Sequence, residues 1–395
     1  MGKCIGVPLA IRTIGSSLYG ISTEIEWQSF LDNELSKIAQ QENNISLTLK
    51  LNHDHLPSHL KQCFDYCKLF PEDHRIYVNT LIDLWIAQGF IVLEGPRQHY
   101  VDIGRKYFME LLWRSFFQDV ENDDLGNIKS CKMHDLMHDL ASLMFQMECA
   151  ILNSSGKNFI EKASHVSTPK PSKRKIQTIL TSSIGENLGY FTCNALVSKF
   201  KYLCALDLSN LSLRVVPHSI GELKHLRYLD LSENKINFLP NTITKLLNLQ
   251  TLKLNSCYSL IELPRDIIKL VNLRQLDIAS CSNLTHMPLG LGRLNSLEIL
   301  TMFMVREERL KGSSYSWYKK KQGRTGGGLS ELKELSNLGG SLMIRNLGHE
   351  KDDMVECKAT NMKEKQHLQE LHLWWDQVLD DGETKFYNET SLEVL

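Results

Sequence analysis

The stretch Leu226-Arg227-Tyr228-Leu229-Asp230-Leu231 decides the fold, because its leucine spacing returns along the second half of the chain. The Leu-x-x-Leu-x-Leu pattern starts at residues 203, 226, 249, 273 and 297, with Ile278 and Met302 as apolar replacements at its last position. The steps between the starts are 23, 23, 24 and 24 residues. A near-constant period of this length indicates a stack of similar short units.

Each unit is predicted to contain one short strand and a return segment. Alternation places the strand leucines inside and the residues between them on the solvent side. Since one unit cannot bury its leucines alone, the units must stack on one another. Asn234, Cys257 and Cys281 lie at the turn where leucine-rich repeats carry Asn or Cys, and Ser219-x-x-Glu222 is a candidate capping box for a return segment. The pattern predicts a leucine-rich-repeat solenoid over 196–395.

An irregular insertion is expected at about 303–335, because this part is polar and glycine-rich, with Lys319-Lys320-Lys321 and Gly326-Gly327-Gly328. Repeat-like segments then resume near Leu342 and Leu368.

The residues between the strand leucines are predicted to line the concave face, exposed to a partner. Their mixed charge favours a protein partner over a nucleic acid. These partner-binding candidates are Arg227, Asp230, Gln250, Lys253, Arg274, Asp277 and Glu298, with Cys204, Asp207 and Thr301 at equivalent positions.

The first half of the chain has helical periodicity instead of a repeat. Apolar spacing predicts helices near residues 25–38, 59–66, 79–88, 103–116 and 134–147, and strands 116–120 and 128–133 are predicted to form a hairpin. Helices followed by a hairpin indicate a winged-helix unit. The predicted organisation is an all-α remnant of a helical subdomain at 1–50, a winged-helix domain at 51–150, a linker at 151–195 and the solenoid, α/β overall.

Charge argues against nucleic-acid binding. The whole chain has 45 Lys and Arg against 46 Asp and Glu. Residues 60–150 contain 9 basic and 14 acidic side chains, a net charge of 9 − 14 = −5. The predicted wing carries Glu121, Asp123 and Asp124, which phosphates would repel.

Other classes of protein are also disfavoured. No run of 18 apolar residues predicts a membrane span, and the segment 1–12 is interrupted by Pro8 and Arg12, unlike a secretory signal. Ten scattered cysteines indicate a reduced, cytoplasmic protein. The chain lacks the Gly-x-x-x-x-Gly-Lys-Ser/Thr phosphate loop and any recognisable catalytic constellation, so we expect no enzyme activity. His134 and His138 have the spacing of a zinc site, but a third ligand is not evident, and no metal ligand is assigned.

Five segments resemble one family, the plant NB-ARC leucine-rich-repeat disease resistance proteins. Cys4-x-Gly6-Val7-Pro8-Leu9-Ala10 is similar to its GLPLA motif, with Val7 in place of leucine. Residues 55–73 match its CFxYCxLFPxD segment, residues 84–91 match LWxAxGF, and residues 133–141 are similar to its MHD signature. Residues 342–373 resemble its later repeats.

The resemblance implies a molecular switch in plant immunity that holds ADP at rest and exchanges it for ATP. Pro8 would pack on the adenine, and His134 would approach the β-phosphate of ADP. The repeats would restrain the switch and recognise a pathogen effector or a guarded host protein, and they would also contact the receptor's nucleotide-binding domain. The family's phosphate loop and coiled coil lie upstream of the Pro8 motif, so we expect a truncated member without a cofactor of its own.

Two hypotheses follow from this resemblance. The chain is either an interaction and regulatory module, or a part of an ATPase switch that binds ADP only together with the missing phosphate-loop segment.

Overall fold

A computed structural model describes residues 15, 23–25, 28, 45–93, 95, 98–124, 126–144, 149–152, 176–181, 190–305, 327–347, 360, 362–378 and 384–393. The chain divides into two compact units, Met1–Met147 and Glu148–Leu395. Pro8 and most of the predicted helix at 25–38 lie outside the described residues. The predicted domain boundaries remain predictions.

The first unit combines helices with a small antiparallel sheet. The sheet has the order β1-β3-β2, and β2 and β3 form the predicted hairpin. The helices are α1 Ile45–Asp54, α2 Ser58–Tyr66, α3 Val78–Gln88, α4 Tyr100–Trp113 and α5 Asp135–Met144. The strands are β1 Ile76–Tyr77, β2 Phe117–Asn122 and β3 Ile128–Met133.

Aliphatic, aromatic and sulfur-containing side chains together form the core of this unit. Trp85 on α3 is fully buried, and its indole N–H donates to the Cys63 carbonyl on α2 at 3.0 Å. Gly89 ends α3 in the left-handed conformation with φ 81°, which favours glycine. Cys63 and Cys67 are free, buried thiols whose pKa values are raised mainly by burial. Both thiols therefore belong to the core of this unit.

The second unit contains a seven-stranded parallel sheet with the order β10-β9-β8-β7-β6-β5-β4. Its strands are β4 Cys149–Leu152, β5 Thr178–Thr181, β6 Ala205–Asp207, β7 Tyr228–Asp230, β8 Thr251–Lys253, β9 Gln275–Asp277 and β10 Ile299–Leu300. The five repeats supply β6 to β10 in chain order, as the leucine pattern predicts.

This sheet begins before the first recognisable repeat. Strands β4 and β5 pair in parallel, and β5 pairs with β6, so sheet residues fall within the segment predicted as a linker. Helix α6, Tyr190–Lys199, follows β5. Ile179 and Leu180 are buried, yet β5 lacks the Leu-x-x-Leu-x-Leu spacing, and sequence periodicity therefore could not identify it.

The return segments are short 3₁₀ helices, and the predicted capping box is absent. Pro217 precedes the first of them, and Ser219 lies inside it, where its side chain makes no cap. The Ser219 hydroxyl instead pairs with Asn194 Oδ1 at 2.6 Å. The 3₁₀ helices are His218–Glu222, Asn241–Lys245, Arg265–Lys269 and Leu291–Arg293.

A second sheet follows the repeats, with the order β11-β12-β13-β14. Its strands are β11 Met302–Met304, β12 Gly339–Leu347, β13 His367–Val378 and β14 Thr384–Glu393, and only β14 is antiparallel to its neighbour. A short helix α7, Glu331–Glu334, precedes β12, and Met362–Glu364 forms a 3₁₀ turn. Residues 306–326 of the predicted insertion lie outside the described residues.

Stacked leucines and one buried asparagine hold the repeats together. Leu206, Leu229, Leu252 and Leu276 are fully buried at equivalent positions. Asn234 is 3% exposed. Both the oxygen and the nitrogen of its side-chain amide form hydrogen bonds with backbone groups of two neighbouring repeats. Its Oδ1 accepts from the Leu211 and Leu213 amides at 3.2 and 2.8 Å, and its Nδ2 donates to the Leu208 and Leu231 carbonyls at 2.8 and 2.9 Å.

In the part of the chain that the structure describes, no helix is both long and apolar enough to cross a bilayer.

We predict that Asn234→Ala destabilises the repeat unit by about 3–5 kcal/mol, because it leaves several buried backbone groups unpaired. Cys257→Ala is the matched control at the equivalent turn, where a single thiol donates to the Leu231 carbonyl at 3.2 Å. That control is expected to cost about 1 kcal/mol. Denaturant unfolding followed by circular dichroism measures both, and equal losses would contradict the role given to Asn234.

Candidate functional site

Two columns of side chains cross the repeat sheet. The central column follows the strand register, in which Asp207 pairs with Asp230, Asp230 with Lys253, and Lys253 with Asp277. The entry column is formed by the residue that immediately precedes each strand. The backbone amide of each member donates a hydrogen bond of 2.7–2.8 Å to the carbonyl of the member in the preceding repeat. The entry column contains Cys204, Arg227, Gln250, Arg274 and Glu298. The structure thus brings the seven partner-binding candidates together, and their role in binding stays a prediction.

The expectation that these side chains are exposed is wrong for three of them. Asp230, Lys253 and Glu298 are only 8%, 7% and 8% exposed, and the other candidates are half-buried. The reason is geometric, since parallel strands lie about 4.8 Å apart and long side chains in register cover one another. The face is therefore a layer of packed polar groups instead of a set of free ones.

Tyr228 organises the middle of this layer, and the sequence analysis missed it. Its ring is fully buried, its hydroxyl lies 3.0 Å from Asp230 Oδ2, and Lys253 Nζ lies 5.4 Å from its ring centroid. Tyr228 precedes Asp230 by two residues, so the two share one face of the strand. The same period of two could have identified Thr251 and Gln275, which occupy the same position in the next repeats.

Asp207 and Asp230 form a pair of neighbouring carboxyl groups. Loss of solvation around Asp207, and then the negative charge of Asp230, raise the pKa of Asp207 to about 7. The backbone amide of Ser209 donates to Asp207 Oδ1 at 2.8 Å, which favours the ionised form but does not outweigh the first two effects. At neutral pH this end of the central column can therefore gain or lose a proton.

The other end of the face is held by charge-assisted and neutral hydrogen bonds. Arg274 Nη1 forms an ion pair with Glu298 Oε1 across two repeats. The Thr301 hydroxyl donates to Asp277 Oδ1 at 2.9 Å and accepts from the Ile278 amide at 2.9 Å. These bonds fix the orientation of the side chains before any partner arrives.

In the first unit, His134 marks the start of α5. Its Nδ1 accepts from the Leu136 amide at 3.2 Å, and its carbonyl accepts from the Met137 and His138 amides at 2.8 and 2.9 Å. The half-buried imidazole thus caps the helix. Because Nδ1 accepts a hydrogen bond, the neutral ring carries its proton on Nε2. Pro8, the other predicted nucleotide contact, lies outside the described residues.

His138 follows one turn later in a different environment. Its Nε2 lies 3.0 Å from the Phe70 carbonyl, and its Nδ1 lies 3.6 Å from Glu72 Oε1. The structure therefore gives His134 and His138 separate partners and does not join them as a two-histidine site. Glu72 is 66 residues away in the sequence, and no local spacing pointed to it.

We predict that Asp207→Asn raises the melting temperature by about 4 °C at pH 8 and has little effect at pH 4.5. An unfolded aspartate ionises near pH 4, so the native chain holds the extra proton between about pH 4 and 7, and stability falls as the pH rises through that interval. The asparagine removes this charge and keeps the acceptor for Ser209.

Asp277→Asn is the control for this experiment. The neighbour of Asp277 on the next strand is the positively charged Lys253, whereas the neighbour of Asp207 is the carboxylate of Asp230. Scanning calorimetry of the full chain measures both variants. An effect of Asp207→Asn that is equal at both pH values would contradict the assignment.

Two protein-family models match the chain, one in each part of this architecture. Residues 69–141 match the family model described as "Disease resistance protein Winged helix domain", and residues 189–394 match the model described as "Leucine-rich repeat region". Among solved structures, a leucine-rich-repeat protein of Leptospira interrogans aligns with 49% of this chain and 47% of its own, at 22% identity and a TM-score of 0.34.

Two similar proteins come from a plant, Solanum bulbocastanum. The putative disease resistance protein RGA4 of Solanum bulbocastanum is 41% identical over 394 residues, which is 100% of this chain and 36% of RGA4. Disease resistance protein RGA2 of the same species is 42% identical over 374 residues, 95% of this chain and 35% of RGA2. The chain spans about a third of the length of these relatives. It belongs to the plant disease resistance proteins that combine a winged-helix domain with a leucine-rich-repeat region.

Proposed function

We propose that this chain is the regulatory and recognition part of a plant immune receptor. Its repeats bind a pathogen effector or a guarded host protein, and the winged-helix unit takes part in an ADP/ATP switch. The observation that carries the proposal is the continuous polar face of the repeat sheet, built on a chain that belongs to the disease resistance proteins.

The chemistry of this face supports a folded protein as its partner. Acidic, basic and hydroxyl groups lie side by side on neighbouring strands, and many already bond to one another, as in the Arg274–Glu298 and Tyr228–Asp230 pairs. Binding therefore costs less side-chain entropy than it would on a face of free, flexible residues. A partner must match this fixed pattern of charges, which favours specificity over tight non-specific attraction.

The capping geometry of His134 supports a contact with nucleotide in the complete receptor. The Leu136 amide donates a hydrogen bond to His134 Nδ1. The Nε2–H group of the same ring remains as a donor suited to a phosphate oxygen. By family resemblance, Pro8 would contact the adenine of the same nucleotide.

The same reasoning favours binding and regulation over catalysis. The contacts found for His134 are to backbone groups, and the carboxylates of the repeat sheet's polar face lie among hydrogen-bonding and ionic partners. We propose a cytoplasmic location, where the buried free thiols of Cys63, Cys67 and Cys131 stay reduced.

The alternative function is that of a segment of a nucleotide-operated ATPase switch, which binds ADP only with a phosphate-loop segment. The match to the disease resistance winged-helix domain favours this as a second candidate. The two functions differ in whether the chain needs nucleotide. In the first, the repeats bind their partner without nucleotide, whereas the second requires nucleotide bound together with the phosphate-loop segment.

We predict that residues 1–395 alone show no ADP binding tighter than about 1 mM by calorimetry, since a phosphate loop supplies the main anchor for phosphates. In a chimera that places this chain in the corresponding part of a Solanum relative, His134→Asp should retain the helix cap, repel the phosphate and weaken ADP binding at least tenfold.

The control is His134→Asn, which keeps both an acceptor for the Leu136 amide and an N–H donor. It should bind ADP within about threefold of the parent chimera. Tight ADP binding by the isolated chain would defeat the interaction-only hypothesis, and unchanged binding in His134→Asp would remove His134 from the nucleotide site.

We predict that Arg227→Ala combined with Asp277→Ala abolishes the pathogen-triggered response of the chimera in leaf tissue, with a melting temperature within about 3 °C of the parent. The control pair, Lys235→Ala with Glu262→Ala, changes exposed residues outside the strands and should retain the response. Equal responses from both pairs would show that recognition does not use the concave face.

A further inference from the structure

Three side chains capable of binding a metal converge beside helix α5 of the first unit. They are Glu72, His138 and Asp139, and one potential ligand atom from each lies within 4.8 Å of the other two. His138 and Asp139 come from α5, whereas Glu72 belongs to the turn at Pro71–His74, where the His74 amide donates to the Pro71 carbonyl at 3.1 Å. Neither the proposed recognition surface nor His134 uses these groups.

The hydrogen bond to Phe70 fixes the state of the imidazole. A carbonyl oxygen only accepts, so His138 Nε2 must be the donor in the 3.0 Å contact with the Phe70 carbonyl. In the neutral ring, the lone pair is then on Nδ1. This arrangement, with one ring nitrogen bonded to a carbonyl and the other available, is the one that metal-binding histidines usually show.

The environment of His138 Nδ1 is electrostatically unfavourable unless a cation binds there. Nδ1 is buried and has no hydrogen-bond partner among the described residues, although the His138 side chain as a whole is 16% exposed. It lies 3.6 Å from Glu72 Oε1. Two electron-rich atoms at this separation repel each other, and a positive ion between them converts the repulsion into two favourable contacts.

We propose that Glu72, His138 and Asp139 bind a divalent transition-metal ion, of which Zn²⁺ is the representative. One imidazole nitrogen and two carboxylate oxygens suit zinc, and three protein ligands leave a fourth position for water. Tetrahedral ligands of zinc lie about 3.3 Å apart, close to the Nδ1–Oε1 distance already present. Glu72 is 63% exposed and Asp139 is exposed, so both carboxylates have room to complete the site.

Bound metal would fasten the turn at Pro71–His74 to α5, one helical turn after His134. Metal binding would thereby fix the position of the helix that His134 caps. This effect is independent of the proposed recognition function, because it needs neither nucleotide nor partner.

The test is a zinc titration of the full 395-residue chain, followed by calorimetry and by thermal unfolding. We expect one high-affinity zinc per chain and a rise in melting temperature of several degrees. X-ray absorption of the complex should show nitrogen and oxygen ligands near 2.0–2.1 Å and no sulfur near 2.3 Å, which separates this site from the cysteines.

His138→Gln and Glu72→Gln should each weaken zinc binding at least tenfold and remove the thermal shift. Glu72→Gln changes an exposed side chain, so it keeps the test valid should His138→Gln fail to fold. His74→Gln is the matched control, because His74 stacks on Phe70 in the same turn but belongs to no ligand set, and it should bind zinc like the parent.

Two results would overturn the proposal. They are the absence of zinc binding by the full chain, and zinc binding that persists in Glu72→Gln and His138→Gln.

Discussion

The repeat unit depends on one constraint, which is that a 23- or 24-residue segment can bury its leucines only against its neighbours. Each strand therefore pairs in parallel and in register with the next, and residues at one position of the repeat lie directly beside each other. Asn234 strengthens this arrangement where two turns meet, by bonding backbone groups of both repeats. The polar face is a consequence of leucine packing, because the same alternation that buries the leucines directs the intervening residues outward.

The fixed strand spacing also explains why the face is not simply a row of exposed charges. Side chains in register are close enough to shield, pair with or repel one another. Arg274 with Glu298 and Tyr228 with Asp230 are favourable outcomes, whereas Asp207 beside Asp230 is an unfavourable one that raises the pKa of Asp207. A surface of this kind presents a defined pattern of charge to a partner. The charge at the Asp207 end of that pattern changes when this carboxyl group gains or loses a proton.

In the first unit, the start of α5 concentrates chemically distinct groups in a short segment. His134 and His138 are separated by one helical turn, yet backbone contacts give them opposite arrangements of donor and acceptor nitrogens. His134 accepts at Nδ1 from its own helix, whereas His138 donates from Nε2 to the Phe70 carbonyl. The first arrangement leaves a donor suited to phosphate, and the second leaves a lone pair suited to a cation. Two identical side chains thus acquire different chemistry from their hydrogen bonds alone.

The sequence by itself determined the repeat, helices α2 to α5, the hairpin and the family, because each is encoded by local spacing or by a contiguous motif. It located the polar columns but not the burial of Tyr228, Asp230, Lys253 and Glu298, which follows from contacts between strands 23–24 residues apart. It also missed β5, which joins the sheet without the leucine spacing, and Glu72, which meets His138 across 66 residues. Only the tertiary structure decided these features, because burial and long-range proximity depend on how the chain packs and leave no periodic signal in the sequence.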